Sequence, residues 1–247
     1  MSLFSVLKIF KSNKPPACTA VIAAAGTSQR CKGEDKLFYH IDGKPVLAYT
    51  IEAFQKCDLV NEIIVVAHED KIGLVGEMCK EFGYDKVSSV IIGGPTRTES
   101  VLFGIYAVSK KARLIAIHDG ARPCVDIDVI EKTVKKAAKF NAAAPAVSIT
   151  STVKKIERGI IVETVDRDGL FEIQTPQVFR SELIKGALTN VLKKSIDVTD
   201  DCMAVELLGA AIYTVEGSRK NIKITDNDDL MIAKSYLADT FLREEKS

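Results

Sequence analysis

The chain has 247 residues, 47% of them hydrophobic and 27% charged, with a formal net charge of +1. That length and apolar content suit one large α/β domain and exclude a disordered chain. The even charge balance excludes the global basic field of a nucleic-acid binder, so any functional cations must be local.

Residues 1–16 are apolar at the start and end at Pro15-Pro16. They lack a basic segment ahead of the apolar part and a small-residue cleavage site, so they read as an N-terminal extension rather than a signal peptide. Residues 17–247 read as the functional domain. No apolar stretch is long enough to span a bilayer, which predicts no membrane partner. Six cysteines (18, 31, 57, 79, 124 and 202) contain no C-x-x-C pair. They read as reduced thiols in a cytoplasm, not as a zinc site or a disulfide framework.

The first strand-like run, Thr19–Ala25, stops at a turn of small residues, Ala24-Ala25-Gly26-Thr27-Ser28, with Arg30 and Lys36 close behind. Small side chains let backbone N–H groups approach an anion, and the two cations can neutralise it. The loop is neither a Walker A motif nor G-x-G-x-x-G, which disfavours a P-loop NTPase and an ordinary dehydrogenase. Further strands are predicted at Glu62–Ala67, Val87–Ile92, Arg113–His118 and Ala142–Ile149. They alternate with helical periods at Pro45–Lys56, Ile72–Phe82, Thr98–Lys110 and Ile127–Phe140. Val/Ile-rich strands separated by amphipathic helices imply parallel βαβ units with right-handed crossovers.

Ligands of such sheets bind beyond the carboxyl ends of the strands, and three suggestive segments fall there. The first loop follows strand one; Gly93-Gly94 follows the third, with Thr98 as a candidate helix cap; His118-Asp119-Gly120-Ala121-Arg122-Pro123 follows the fourth. Asp119 either ligates Mg²⁺ beside phosphate oxygens or is a capping or loop aspartate. Arg122 either clamps an anion or braces its loop, and His118 reads as structural. After Thr150 the pattern changes. Ser151–Glu157 and Ile160–Val165 flank Arg158-Gly159 as a hairpin, which either projects onto a partner subunit or folds back on its own domain. Helices at Arg180–Leu192 and Asp200–Leu208, a strand at Ala211–Val215 and a last helix at 226–241 complete the chain.

Taken together, the Ala-Ala-Ala-Gly-x-Ser-x-Arg loop with Lys36, Gly-Gly-x-x-Arg-x-x-Ser-Val (93–101) and His-Asp-Gly-Ala-Arg-Pro (118–123) resemble the 2-C-methyl-D-erythritol 4-phosphate cytidylyltransferase family. Thr-Val-Asp-Arg (164–167), Gln-Thr-Pro-Gln (174–177), Thr199-Asp200-Asp201 and Asn221-Ile222-Lys223-Ile224-Thr225 continue the resemblance over nearly the whole chain. It implies a Rossmann-like nucleotidyltransferase fold, a mostly parallel twisted sheet flanked by helices, with a protruding β-hairpin arm at 150–166 that joins a homodimer. It also implies CTP as co-substrate and Mg²⁺ or another divalent cation on Asp119. Arg30 and Lys36 match the cations that stabilise the pentavalent phosphorus. Arg167 and Lys223 match the residues holding the acceptor phosphate. Arg122, Thr152, Thr175 and Thr199 match acceptor contacts, Thr152 and Arg167 being presented by the partner's arm. Ala24, Ala25, Gly26, Thr27, Gly94, Ser100 and Gly120 match the nucleotide-binding turns.

Ser28, Asp35, Pro95 and Cys202 depart from the family's pattern without touching the charged set. A pentitol-phosphate cytidylyltransferase acting on ribitol 5-phosphate shares every motif quoted, and a nucleotide-binding module without turnover shares the fold. The absence of a catalytic triad accords with transfer to a phosphate, which is already an anionic nucleophile.

Overall fold

The computed structural model describes residues 17–26 and 35–244. The extension 1–16 and the loop residues Thr27, Ser28, Arg30 and Cys31 lie outside them. β1 (Cys18–Ala24) runs through the middle of the sheet. Alternation along it feeds two cores: Ala20 and Ile22 face one and Val21 faces the other, all fully buried. A strand sealed on both faces reads as a continuous apolar run, which is why it is legible in the sequence.

Two short strands, β2 (His40–Ile41) and β3 (Lys44–Pro45), form a hairpin leading into α1 (Val46–Lys56), which buries Leu47, Ile51 and Phe54. β4 (Val60–Ala67), a single 3₁₀ turn (Glu69–Lys71), α2 (Ile72–Glu81), β5 (Val87–Ile92) and α3 (Arg97–Ala107) follow. The cap of α3 is Thr96, not Thr98 as its sequence suggests. Thr96 Oγ1 accepts the Glu99 amide at 3.1 Å while the Glu99 carboxylate accepts the Thr96 amide at 3.0 Å, a reciprocal capping box. β6 (Leu114–Asp119) is buried throughout. α4 (Ile127–Phe140) buries Val129, Ile130, Thr133, Val134 and Ala137 as one stripe and ends on Asn141 in the left-handed region, φ 73°.

The remaining elements are β7 (Ala142–Ser148), β8 (Val153–Glu157), β9 (Ile160–Val165), β10 (Phe171–Ile173), β11 (Gln177–Arg180), α5 (Ser181–Lys193), α6 (Asp201–Glu206), β12 (Tyr213–Glu216) and α7 (Asn227–Glu244). The main sheet has the order β10-β7-β11-β6-β1-β4-β5, with β12 also paired to β7. β6, β1, β4 and β5 are parallel, the predicted core of the α/β fold. The departure from the sequence reading lies between β6 and β7. They are not neighbours, because antiparallel β11 inserts between them. At four residues, β11 is too short to show its own period.

β10 and β11 both pair with β7. From Ile173 to Val178 the chain advances five residues while β7 moves three, from Ala146 to Ala143. The surplus bulges at Gln174-Thr175-Pro176. Bulges of this kind re-aim side chains beside functional sites, and this one aims Thr175 at the end of β6.

β8 and β9 form a separate two-stranded sheet. Its turn residues Arg158 and Gly159 both have positive φ, 50° and 80°, as a two-residue hairpin turn of type I′ requires. Ile160 is 67% exposed and Ile161 61%. The hairpin therefore projects rather than folding back on its own sheet. Among the described residues no helix is long and apolar enough to cross a membrane.

Candidate active site

A cleft of about 470 Å³ opens at the carboxyl ends of the parallel strands, within the size range of small-molecule sites. Ala24 at the end of β1, Ala25 and Gly26 just after it, Gly94 after β5, Asp119 at the end of β6, and Lys36 and Lys223 from more distant loops all line it. The strand ends singled out in the sequence do converge. Ala25 and Gly93 bring the first two loops into close approach: a Cβ on Gly93 would lie 2.4 Å from the Ala25 Cβ and 2.8 Å from Ser100 Oγ. Ser100 is buried, and its hydroxyl both accepts the Gly94 amide (3.0 Å) and donates to the Gly94 carbonyl (3.2 Å), fixing that turn.

Asp119 is the electrostatic centre. Its Oδ1 lies 3.4 Å from Arg97 Nη2; its Oδ2 lies 3.0 Å from Lys223 Nζ and 3.4 Å from Arg122 Nε. Burial resists ionisation of this carboxyl, but the charges of Arg97, Lys223 and Arg122 outweigh it and hold the group well below the usual carboxylate range. Asp119 is therefore an anion at any physiological pH. Arg97 also pairs with the buried Asp201 at 2.8 Å. Burial pushes the Asp201 carboxyl up, against the pull of Arg97.

A second layer of polar groups fixes Asp119 in place. Thr175 Oγ1 accepts the Asp119 amide at 3.2 Å and lies 2.9 Å from His118 Nδ1. His118 Nε2 lies 3.2 Å from the Arg122 carbonyl. One proton arrangement satisfies all of these contacts: Nε2–H donates to Arg122, and Nδ1 accepts from the Thr175 hydroxyl. His118 has no exposed surface and packs on Phe54, with ring centroids 4.9 Å apart. Burial lowers its pKa to about 4, so it is neutral and structural, as its sequence context suggests.

The last loop closes the cleft. The Ile224 amide donates to the Ala121 carbonyl at 2.9 Å. Arg122 Nη1 donates to the Asn221 carbonyl, and Lys36 Nζ to the Ile224 carbonyl, both at 2.7 Å. Asn221 is fully buried and donates to the Thr175 carbonyl at 2.8 Å.

Other residues singled out from the sequence lie elsewhere. Arg122 is buried and braces its loop, outside the cleft lining. Gly120 has both its amide and its carbonyl engaged, by Ala23 and Thr50, and does not line the cleft either. Thr152, Arg167 and Thr199 are exposed and away from it, Arg167 bonding the Thr150 carbonyl. Thr27 and Arg30 fall outside the described residues. The sequence reading missed Arg97 and Asp201. Arg97 stands in the Gly-Gly-x-x-Arg motif as the first residue of α3, a position that signals an anion-facing cation. Asp201 carries no signal of its own.

Residues 18–239 match the family model of IspD, 2-C-methyl-D-erythritol 4-phosphate cytidylyltransferase. The chain belongs to this family.

The 2-C-methyl-D-erythritol 4-phosphate cytidylyltransferase of Clostridium acetobutylicum is 43% identical over 221 residues, covering 88% of this chain and 96% of that protein. In structure, the 4-diphosphocytidyl-2C-methyl-D-erythritol synthase of Anaerococcus prevotii matches with a TM-score of 0.79 at 28% identity, covering 92% of this chain and 100% of that one. The Francisella tularensis cytidylyltransferase matches with a TM-score of 0.75 at 30% identity, over 89% and 99%. The family match thus covers nearly the whole described chain.

Proposed function

We propose that this chain transfers the cytidylyl group of CTP to 2-C-methyl-D-erythritol 4-phosphate, forming 4-diphosphocytidyl-2-C-methyl-D-erythritol and releasing pyrophosphate. The observation that carries the reading is the Asp119 carboxylate held between Arg97 and Lys223 in a cleft at the strand ends. The acceptor phosphate is already an anionic nucleophile, so no base is required. The task is to bring two anions together and stabilise charge at the α-phosphorus, which is positioning and electrostatics.

Lys36 and Arg30 offset charge on the triphosphate and the pentavalent phosphorus. Lys223 and Arg167 hold the acceptor phosphate in line, with Thr152 of the partner's arm beside the acceptor, while the buried Arg122 and Thr175 act through Asp119. A divalent cation fits this site only together with the nucleotide. The cleft offers the single carboxylate Asp119, and among the described residues no group of three or more His, Cys, Asp or Glu side chains is placed to hold a metal. Mg²⁺ takes one or two carboxylates plus substrate phosphates. Bound there, it would offset triphosphate charge beside Asp119.

The exposed apolar hairpin supports a homodimer in which each arm delivers Thr152 and Arg167 to the partner's cleft. The described cysteines are buried free thiols, which accords with a cytoplasmic enzyme. The test is pyrophosphate release with CTP and Mg²⁺, offering methylerythritol 4-phosphate and ribitol 5-phosphate side by side. Release with the first alone establishes the reaction. Release with ribitol 5-phosphate alone moves the enzyme to another acceptor, and silence with both overturns the assignment.

A further inference from the structure

Residues 217–226 form neither helix nor strand, yet Lys223 is carried by this stretch. The main-chain groups that a ladder would pair are taken up here by side chains. Gln174 is 3% exposed; its Oε1 accepts the Ser218 amide at 3.3 Å and its Nε2 donates to the Ser218 carbonyl at 2.9 Å. One side chain thus engages both main-chain groups of Ser218. Asn221 donates from Nδ2 to the Thr175 carbonyl at 2.8 Å and to Gln174 Oε1 at 3.3 Å. Interlocked side-chain amides therefore join the bulge between β10 and β11 to the last loop.

Gly217 makes room for this clamp: a Cβ there would lie 2.6 Å from Gln174 Oε1. Asn221 Oδ1 is buried with no hydrogen-bond partner among the described residues. An orphaned buried acceptor costs stability, so this amide is a poor choice if stability is all it provides. The pins fall on either side of Lys223. Ahead of it stand Ser218 and Asn221, held by Gln174, the Thr175 carbonyl and Arg122. Behind it the Ile224 amide is held by the Ala121 carbonyl, and the Ile224 carbonyl binds Lys36.

The Lys223 side chain is 43% exposed and reaches Asp119 Oδ2 at 3.0 Å. An ammonium on a flexible four-carbon stem has no planar fork to orient it, so its place depends on where its backbone is fixed. On the proposed reaction, which this inference presupposes, Lys223 holds the attacking phosphate. We infer that Gln174 and Asn221 are positioning residues for the acceptor: their clamp sets the loop that aims Lys223. Neither lines the cleft, so both act through the lysine.

The experiment pairs steady-state kinetics on methylerythritol 4-phosphate with calorimetric binding of CTP and Mg²⁺ in the absence of acceptor. The proteins are the wild type, Gln174→Met, Asn221→Ala, Lys223→Ala and the double variant Gln174→Met with Lys223→Ala. Methionine keeps the length of the glutamine side chain and removes both polar ends. Gln174→Met should lower kcat/KM for the acceptor roughly tenfold or more, the scale of a misplaced binding group. CTP affinity should change by less than about threefold, and Asn221→Ala should show the same split. In the Lys223→Ala background, Gln174→Met should cost less than about twofold, because its effect runs through that lysine. Where Gln174→Met does not fold, Gly217→Ala presses on the same amide from the loop side and should give the same pattern. Equal losses for acceptor and CTP overturn the inference, as does a loss that adds in full to that of Lys223→Ala. So does a lowered Tm with kinetics intact, which would make the clamp merely structural. A wild-type protein that does not turn over methylerythritol 4-phosphate overturns the cytidylyl-transfer reading itself; wild-type turnover with unaffected variants overturns only the clamp.

Discussion

Thr175 holds Asp119 from a strand that runs against it: its Oγ1 accepts the Asp119 amide at 3.2 Å from the bulge between β10 and β11. Thr175→Val keeps the shape and removes the hydroxyl, stranding a buried amide and the His118 ring nitrogen. Stability should fall by about 2 kcal/mol, read as a shift in denaturant midpoint. Thr175→Ser should restore most of it, since the hydroxyl returns. Full stability in the valine variant would mean the hydroxyl carries no load.

His118 predicts a pH dependence of definite sign. Its folded pKa is about 4, against about 6.5 for a free histidine. Between those values the unfolded chain binds a proton that the native state refuses, so stability falls as pH drops across the window and is fully present above it. The contribution at stake is about 3 kcal/mol. The ring resonances of His118 should remain in the neutral position at pH 5.5 in an NMR titration; a midpoint above 6 would contradict the buried neutral ring.

Gly93→Ala tests the loop approach. The added methyl would meet Ala25 at 2.4 Å, closer than real Cβ contacts come, so one loop must move. We expect about 2 kcal/mol of destabilisation and a raised KM for CTP, with KM for the acceptor little changed. Unchanged nucleotide KM would separate this contact from the binding site.

Lys36→Ala should lower kcat roughly a hundredfold through loss of a transition-state cation. Lys36 is only half-buried, so the fold should persist, with Tm within a few degrees of wild type. Near-normal turnover in the folded variant would remove Lys36 from the chemistry.

The arm can be tested by complementation. If Arg167 acts in the partner's cleft, Lys36→Ala and Arg167→Ala homodimers are each nearly inactive. Remixed, they form heterodimers in which one cleft contains neither substitution. About a quarter of wild-type activity should return, since half of the dimers are hybrids with one good site of two. No recovery after demonstrated subunit exchange would place Arg167 in its own cleft.

The sequence reveals the parallel half of the sheet and the cleft-lining loops because buried strands are continuous apolar runs and their ends carry small or charged residues. The arm is legible too, through alternation around Arg158-Gly159. β10 and β11 are not, because three- and four-residue strands have no measurable period. Without them, the bulge that carries Thr175 to Asp119 has no address in the sequence beyond a family motif. Asp201 stays hidden for another reason. Two adjacent acids at a helix start read as dipole and cap residues, which fits Asp200, and only the fold shows that the second acid turns inward to Arg97.

The bond from Lys36 to the Ile224 carbonyl joins residues 188 positions apart in the chain. The parallel strands β1, β4, β5 and β6 are all made before residue 120, yet Asp119 lacks Lys223, and Lys36 lacks its carbonyl, until the last loop arrives. On the ribosome, then, the four parallel strands emerge well before the cleft is electrically complete. Until Lys223 is made, the only cations beside Asp119 among the described residues are Arg97 and Arg122.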